Sequence, residues 1–187
     1  MPALSVDFFS QLKDNYKKYK VFVETGTFMG ETIFNMEPHF NNLYTIEIAP
    51  HYFNNTRKKY KGSKINFILG DSSDVLLAIL PLIMEDSIFF LDGHWSADDT
   101  GKGLKDCPLE EECMAINELF QGNAILIIDD FRLFGKGPHN NTDVCDWKDI
   151  SKNKLVSVLE SRITDIYHLP SNLHKEDRLI IHIKAKE

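Results

Sequence analysis

The sequence has few cysteines and no long apolar run, and each shortage excludes a class of protein. Its three cysteines, Cys107, Cys113 and Cys145, include no CxxC pair, so neither a disulfide framework nor a structural zinc site is expected. No apolar stretch approaches the roughly 20 residues that cross a membrane, and Met1 to Asp7 lacks the basic-then-apolar order of a signal peptide. We therefore expect reduced thiols and a cytoplasmic protein with no membrane partner.

Positive charge is scarce in the middle of the chain. Lys and Arg number 9 against 6 Asp and Glu in residues 1–64, 4 against 16 in residues 65–147, and 8 against 6 in residues 148–187. A nucleic-acid backbone requires a cationic surface. The acidic middle segment therefore argues against a nucleic-acid partner.

The chain does contain a regular alternation of strand and helix patterns. Its 187 residues, 43% hydrophobic and 26% charged, have the size and composition of one domain, 1–187. Short runs rich in β-branched residues are separated by stretches long enough for helices. Strands are predicted at 20–23, 43–46, 65–69, 87–91, 124–128, 165–169 and 178–183, and helices at 31–36, 50–59, 73–84 and 108–120.

This order predicts an α/β fold with a doubly wound, mostly parallel seven-stranded sheet that ends in an antiparallel hairpin. Residues 1–19 are expected to form an N-terminal helix. Two segments break the rhythm, 95–107 and 131–147, and each directly follows a predicted strand. Open α/β sheets bind ligands at the carboxyl ends of their strands, so we interpret both segments as active-site loops.

A glycine loop with Gly26 and Gly30 joins the first predicted strand to a helix. Glycines allow a tight turn in which backbone amides approach a ligand, although such a turn can also serve packing alone. The second strand ends in Glu47, which can accept hydrogen bonds from both ribose hydroxyls. The third ends in Asp71 and Ser72, which can take the amino group of an adenine. Three strand ends thus match three parts of a nucleoside, and the GxGxxG spacing that favours NAD is absent.

Acidic residues also follow the next two predicted strands. Asp92 ends the fourth strand with His94 two residues later, and Asp129 and Asp130 end the fifth. Crowded carboxylates raise one another's pKa unless a cation neutralises them, and oxygen ligands suit Mg²⁺. The pattern predicts a metal site of Asp92, Asp129 and Asp130. The alternative is that these acids cap helices or hold loops.

Residues 24–32 and 43–50 resemble motif I and the following acidic strand of class I S-adenosylmethionine-dependent methyltransferases. The resemblance continues in order over residues 20–135, and it is nearest to the metal-dependent O-methyltransferases of the catechol and antibiotic-sugar types. It implies a Rossmann-like fold, S-adenosyl-L-methionine as methyl donor and Mg²⁺ as a second cofactor. The implied donor-binding residues are Glu24, Thr25, Gly26, Thr27, Phe28, Gly30, Glu47, Asp71, Ser72 and Asp92.

The acids after the fourth and fifth strands fall on the metal-binding positions of those enzymes. His94 matches a histidine of the sugar-modifying type, whereas Trp95 stands where the catechol enzymes have a lysine. By this resemblance the metal lowers the pKa of an acceptor hydroxyl, and His94 with Asp92 is catalytic and removes its proton. Two alternatives stay open: a metal-independent methyltransferase with His94 or Asp92 as base, and a donor-binding protein without catalysis.

The acceptor is defined less well than the donor. Only residues 1–19 precede the first strand, whereas the catechol and sugar enzymes carry longer amino-terminal segments that help to enclose the acceptor. The two active-site loops or a second copy of the chain in a homo-oligomer must then complete the pocket. We expect a hydroxyl-bearing acceptor such as a sugar, a glycan or another small molecule.

Overall fold

A computed structural model describes residues 3–96, 100–137 and 146–186 and arranges them around one seven-stranded sheet. The strands are β1 (Val21–Thr25), β2 (Asn42–Glu47), β3 (Ile65–Leu69), β4 (Ser87–Leu91), β5 (Ala124–Ile128), β6 (Ile163–Leu169) and β7 (Arg178–Ile183). The α-helices are α1 (Glu31–Met36), α2 (Pro50–Lys59), α3 (Ser72–Ile79), α4 (Leu109–Leu119) and α5 (Lys152–Leu159). Short 3₁₀ helices lie at Val6–Gln11, Tyr16–Lys18, Glu37–His39, Leu80–Leu82, Phe131–Leu133 and Glu160–Arg162.

The strand order is β3-β2-β1-β4-β5-β7-β6. Neighbouring strands are parallel except where β7 pairs with β5 and β6. The predicted mostly parallel sheet with a C-terminal antiparallel hairpin is therefore confirmed. The chain winds outward from β1 to β3 and then returns to place β4 beside β1. The carboxyl ends of β1 and β4 thus form a topological switch point, where doubly wound sheets bind ligands.

Apolar layers cover both faces of the sheet. Strands β1, β4, β5 and β7 are buried along their whole lengths. One face packs against α3, α4 and α5 through residues such as Leu76, Ile116 and Leu155, and the other packs against α1 and the N-terminal segment through Ile33 and Phe9. Burial on both faces explains why these strands are continuous apolar runs rather than alternating patterns.

The N-terminal segment differs from the helix predicted at 1–19. Its described part, 3–19, contains two short 3₁₀ helices instead. The Asn15 side chain accepts a hydrogen bond from the Lys17 amide at 3.1 Å, and such local bonds compete with a continuing helix. Phe8 and Phe9 are buried against the sheet, so packing rather than helix propensity determines the path of this segment.

Helix α5 is absent from the sequence-based prediction. It begins where the Ser151 side chain accepts a hydrogen bond from the Lys154 amide, which is an ordinary N-cap. Only Leu155 and Leu159 of this helix are fully buried, so its apolar pattern is weak. None of the described helices is both long and apolar enough to span a membrane.

Candidate active site

A cavity of about 590 Å³ opens at the carboxyl ends of β1, β2, β3 and β4. Its volume lies in the range of ordinary ligand-binding cavities. The predicted donor-binding residues that line it are Glu24, Gly26, Thr27, Phe28, Gly30, Glu47, Asp71, Ser72 and Asp92. His94 also lines the cavity, whereas Thr25, Asp129 and Asp130 lie outside its lining. Four of the five strand ends singled out by the sequence, those of β1 to β4, therefore converge on one cavity.

The glycine loop requires backbone conformations that favour glycine. Gly26 and Gly30 have φ angles of 83° and 81°. A Cβ atom on Gly26 would lie 2.3 Å from the carbonyl oxygen of Asp92, so the loop and the end of β4 touch backbone to backbone. Gly26 is therefore required both by its φ angle and by this close approach.

The carboxylate of Glu47 is fixed by backbone amides. Its Oε2 accepts a hydrogen bond from the Phe28 amide at 2.7 Å, and its Oε1 accepts one from the Ala49 amide at 2.8 Å. Each carboxylate oxygen has a further lone pair for another donor. The group therefore meets the requirement of the predicted ribose contact, which is two acceptors held in place at the cavity wall.

Asp71 and Ser72, the predicted adenine contacts, are engaged within the protein. Asp71 caps α3, since its Oδ1 accepts hydrogen bonds from the amide and hydroxyl of Ser73 at 3.1 and 2.8 Å. The Ser72 hydroxyl donates to Oε1 of Glu112 at 2.6 Å. The hydroxyl proton of Ser72 is thus directed away from the cavity.

Glu112 is a buried site residue that the sequence reasoning missed. It is one of three glutamates in the first turn of α4, where acids are favourable on charge alone. Glu112 nevertheless falls in the apolar stripe of the helix with Leu109, Cys113 and Ile116, all of which are buried. That spacing of i, i+3, i+4 and i+7 is the signal that could have placed it inside.

Glu24 is a buried acid at the end of β1. The Thr45 hydroxyl donates to its Oε2 at 2.5 Å. Burial, with a smaller contribution from the charge of Glu47, raises the pKa of Glu24 to about 8, and the bond from Thr45 opposes this rise. The carboxyl group is therefore mostly protonated at neutral pH.

Glu24→Gln is expected to stabilise the protein more at pH 8 than at pH 5. A carboxyl group whose pKa is raised to about 8 by folding contributes stability below its unfolded pKa, and this contribution is lost as the pH rises through the folded value. Glutamine can still accept the Thr45 bond, but it does not titrate. Calorimetric unfolding should show a gain in Tm of several degrees at pH 8 and little gain at pH 5.

The matched control for this prediction is Glu118→Gln, because Glu118 is exposed on α4. Its Tm should follow that of the unmodified protein at both pH values. A Tm difference for Glu24→Gln that is the same at pH 5 and pH 8 would contradict the predicted linkage.

His94 lies between two of the predicted acids. Its Nδ1 is 3.4 Å from Oδ1 of Asp92, and its Nε2 is 3.0 Å from Oδ2 of Asp130. The side chains of His94 and Asp92 are only 5% and 11% exposed. The ring of Trp147 packs edge-on against the imidazole with the ring centroids 4.8 Å apart. The structure thus brings the predicted catalytic pair together and adds Asp130 to it.

The predicted metal triad is divided in the structure. Asp92, His94 and Asp130 offer ligand atoms that all lie within 4.8 Å of one another. Asp129 instead accepts a hydrogen bond at 3.3 Å from Nε of Arg178. The reason is topological, because β7 pairs with β5 and its first residue lies next to the end of β5. Asp129 therefore forms an ion pair with Arg178, and its ligand atoms group with those of Asp130 and Asp177 rather than with those of Asp92 and His94.

A second arginine, Arg132, forms ion pairs with two acids of this cluster. Arg132 donates hydrogen bonds to Asp130 and Asp177. Asp177 is 1% exposed and also accepts a hydrogen bond from the Ser171 hydroxyl at 2.5 Å. These contacts attach the turn between β6 and β7 to the end of β5.

The pKa of Asp92 is raised, whereas that of Asp130 is lowered. Burial and the charges of Asp129 and Asp130 raise the pKa of Asp92 well above its usual range. Its Oδ1 is buried and accepts no hydrogen bond from any residue that the structure describes. Burial also tends to raise the pKa of Asp130, but the contacts with His94 and Arg132 outweigh it and lower that pKa. Asp92 is thus the acid whose charge is least compensated.

The two predicted active-site loops contribute unequally. From 95–107, the residues Trp95, Ser96, Thr100, Gly101, Gly103 and Lys105 line the cavity, while 97–99 lie outside the described residues. From 131–147, residues 138–145 lie outside the described residues. The described end of that loop reaches the site through Trp147, which packs on His94.

No protein-family model and no curated protein matches the chain. Solved structures match it along most of its length. A proposed O-methyltransferase from Klebsiella pneumoniae is 14% identical, with a TM-score of 0.63, and the match covers 90% of this chain and 75% of that one. The N-methyltransferase NodS from Bradyrhizobium japonicum is 13% identical, with a TM-score of 0.57, and the match covers 90% and 87%.

A third structure is a proposed methyltransferase from Streptococcus mutans in complex with S-adenosylhomocysteine. It is 16% identical, with a TM-score of 0.59, and the match covers 95% of this chain and 94% of that one. The chain has the fold of S-adenosylmethionine-dependent methyltransferases. At these identities the likeness establishes the fold alone. The matched proteins include an N-methyltransferase and a proposed O-methyltransferase, so this fold accommodates more than one kind of acceptor atom.

Proposed function

We propose that the protein is an S-adenosylmethionine-dependent methyltransferase that transfers the methyl group to a hydroxyl oxygen. The observation that carries this proposal is the arrangement around one cavity. Glu47, held by two amides, lies on its donor side, and Asp92 with His94 lies in the same lining. The methyltransferase fold supports the donor, and the acid and imidazole support the hydroxyl acceptor.

On the donor side, each part of S-adenosylmethionine has a corresponding wall of the cavity. Glu47 is assigned to the ribose hydroxyls, and the first turn of α3 at Asp71 and Ser72 to the adenine. The glycine loop is assigned to the methionine part, because the positive φ angles of Gly26 and Gly30 let the backbone approach a ligand closely. Glu24 lies beside this wall with its pKa raised to about 8, and its Oε2 is already occupied by the Thr45 hydroxyl.

On the acceptor side, the protein must place a hydroxyl group and remove its proton. A methyl sulfonium is already reactive, so alignment and proton removal are the remaining tasks. His94 is assigned as the base. Asp130, whose Oδ2 lies 3.0 Å from Nε2, orients the imidazole, and Nδ1, 3.4 Å from Oδ1 of Asp92, is the nitrogen left to take the proton. Together, the acids and the imidazole favour an oxygen acceptor such as a sugar or glycan hydroxyl.

A divalent cation fits this side of the cavity on two observations. The first is the buried Oδ1 of Asp92, which lacks a hydrogen-bond donor among the described residues. The second is the balance of charge among the described residues of the cluster. Its four acids are Asp92, Asp129, Asp130 and Asp177, and the arginines paired with them are Arg132 and Arg178. Asp92 and Asp130 are the carboxylates that would hold the ion, with His94 beside them as the base. Bound there, Mg²⁺ would lower the pKa of an acceptor hydroxyl.

A metal-independent methyltransferase is the second candidate. The observation in its favour is that Arg178 already neutralises Asp129 and that Arg132 contacts both Asp130 and Asp177. In that case His94 or Asp92 acts as the base without an ion, and the raised pKa of Asp92 makes its carboxylate a stronger base.

Removal of divalent ions is expected to lower turnover at least tenfold, on the order of the loss of one metal-assisted activation step, while donor binding persists. The measurement is S-adenosylhomocysteine formation on a panel of sugars, glycans and small hydroxylated compounds before and after EDTA treatment. Added Mg²⁺ should restore the rate, and Asp130→Asn should imitate its removal. Turnover that is indifferent to EDTA would instead favour the metal-independent candidate.

Calorimetric titration with S-adenosylhomocysteine tests the donor site separately from the acceptor. The expected result is saturable binding by the unmodified protein. No binding at millimolar concentrations would refute the proposed function as a whole, whereas binding without turnover on any acceptor would indicate a donor-binding protein.

A further inference from the structure

Glu112 is a buried acid that the proposed reaction does not use. It is 1% exposed and lies outside the lining of the cavity. Burial raises the pKa of Glu112 to about 7, and hydrogen bonds from Ser72 and Thr25 oppose that rise. A carboxyl group at this depth is costly unless hydrogen bonds compensate it, so its two partners account for its presence.

The two partners of Glu112 lie in different elements, α3 and β1. The Ser72 hydroxyl, which donates at 2.6 Å, is in the first turn of α3. Thr25 is at the end of β1, and its Oγ1 accepts a hydrogen bond from the Asp92 amide at 3.2 Å. Glu112 is therefore connected on one side to the turn assigned to adenine and on the other to the backbone of Asp92.

The surroundings of Glu112 leave little free space. A Cβ atom on Gly93 would lie 3.0 Å from Oε1 of Glu112 and 3.0 Å from Oγ1 of Thr25. Glu112 thus packs directly beneath the segment that follows β4. A group in such close contact on several sides transmits a change in its position to its neighbours.

The sheet itself does not join the two walls directly. Strands β2 and β1 lie between β3 and β4, so no ladder hydrogen bond links the start of α3 to the end of β4. Helix α4 packs against α3. It thereby brings the Glu112 carboxyl group within hydrogen-bond distance of Ser72 and Thr25. Within the part of the chain that the structure describes, the Glu112 side chain makes such a connection.

We propose that Glu112 is a positioning residue that holds the first turn of α3 through Ser72 and the end of β4 through Thr25, so that both walls are in place when the donor binds. The proposal rests on the proposed function, because donor binding is its readout. The group acts through Ser72 and Thr25 and does not itself touch the donor.

The principal test compares Glu112→Leu with Glu112→Gln. Leucine removes both acceptors at similar size, and the Kd for S-adenosylhomocysteine is expected to rise roughly tenfold, as for the loss of one or two buried hydrogen bonds. Glutamine retains an acceptor for Ser72, so its Kd should stay within about threefold of the unmodified value. Exposed Glu118 supplies the matched control, Glu118→Leu, which should bind as the unmodified protein does.

A double-mutant cycle with Ser72→Ala distinguishes positioning from general destabilisation. If Glu112 acts through Ser72, then Ser72→Ala raises the Kd by a similar factor, and the double variant is little worse than either single variant. The Kd values are measured well below the Tm of each variant. Ser72→Ala keeps the test decisive should Glu112→Leu fail to fold.

The outcomes separate this inference from the proposed function. An unmodified protein that does not bind S-adenosylhomocysteine would refute the proposed function. If the unmodified protein binds S-adenosylhomocysteine and both Ser72→Ala and Glu112→Leu bind it as tightly as the unmodified protein does, the role of Glu112 alone is overturned. Multiplicative effects in the double variant would also overturn it, because they would show that the two residues act independently.

Discussion

Glu47→Ala is expected to weaken the binding of S-adenosylhomocysteine by about 100-fold or more, because charge-assisted hydrogen bonds are each worth about 1.5–3 kcal/mol. The substitution removes the two acceptors assigned to the ribose. It also releases the amides of Phe28 and Ala49, which Glu47 holds at 2.7 and 2.8 Å. The glycine loop would then lose one of its attachments to β2. Isothermal titration calorimetry at one temperature and pH measures the change.

Two further variants make the Glu47 result interpretable. Glu47→Gln retains one carbonyl acceptor and should lie between the unmodified protein and Glu47→Ala. Glu118→Ala, on the exposed surface of α4, should leave the Kd unchanged. If Glu47→Ala binds S-adenosylhomocysteine as tightly as the unmodified protein does, the assignment of Glu47 to the ribose is wrong.

His94→Ala is expected to lower kcat by about 10²–10⁴, the usual contribution of a general base, while the Kd for S-adenosylhomocysteine changes little. The imidazole lies between Asp92 and Asp130, on the side of the cavity assigned to the acceptor. Its loss removes the group assigned to take the hydroxyl proton, but it leaves Glu47 and the glycine loop in place. The measurements are donor turnover with an accepted substrate and calorimetric donor binding.

The matched control for His94 is His39→Ala, since His39 is exposed outside the cavity lining. It should preserve both kcat and donor affinity. A His94→Ala protein that loses donor affinity in proportion to its activity would show that the imidazole supports the structure of the site rather than the removal of a proton.

The proximity of the glycine loop to Glu47 could be predicted from sequence because its signals are local. A strand followed by Gly26 and Gly30 predicts a tight turn, and an acid that ends the next strand must lie near it when the strands are parallel. The structure places Glu47 beside the amide of Phe28 accordingly. His94 follows Asp92 by two residues, and that spacing alone keeps the pair within reach of each other.

The grouping of the acids that follow β4 and β5 could not be predicted in the same way, because their ion pairs depend on distant partners. Asp129 follows a strand as Asp92 does, and nothing near it in the sequence distinguishes the two. Arg178, which forms the ion pair with Asp129, lies 49 residues further along the chain. Only the antiparallel pairing of β7 with β5 brings that guanidinium to the end of β5.

Glu112 illustrates the same limit for a polar side chain in the interior. A charged residue at a helix start is usually solvated, so its residue type argued for the surface even though its spacing matched the buried stripe. Because α4 packs against α3, the Glu112 side chain is buried and accepts a hydrogen bond from Ser72, 40 residues away.

The N-terminal segment shows an opposite case, in which a secondary structure was predicted and tertiary packing replaced it. Phe8 and Phe9 are buried on the sheet in a 3₁₀ helix. The positions of the strands and the glycine loop with Glu47 follow from the sequence, since periodicity and turn chemistry act over a few residues. The partner of each buried acid was decided by the tertiary structure, because a charge in the interior is satisfied by whichever group the packing of distant elements brings within hydrogen-bond distance.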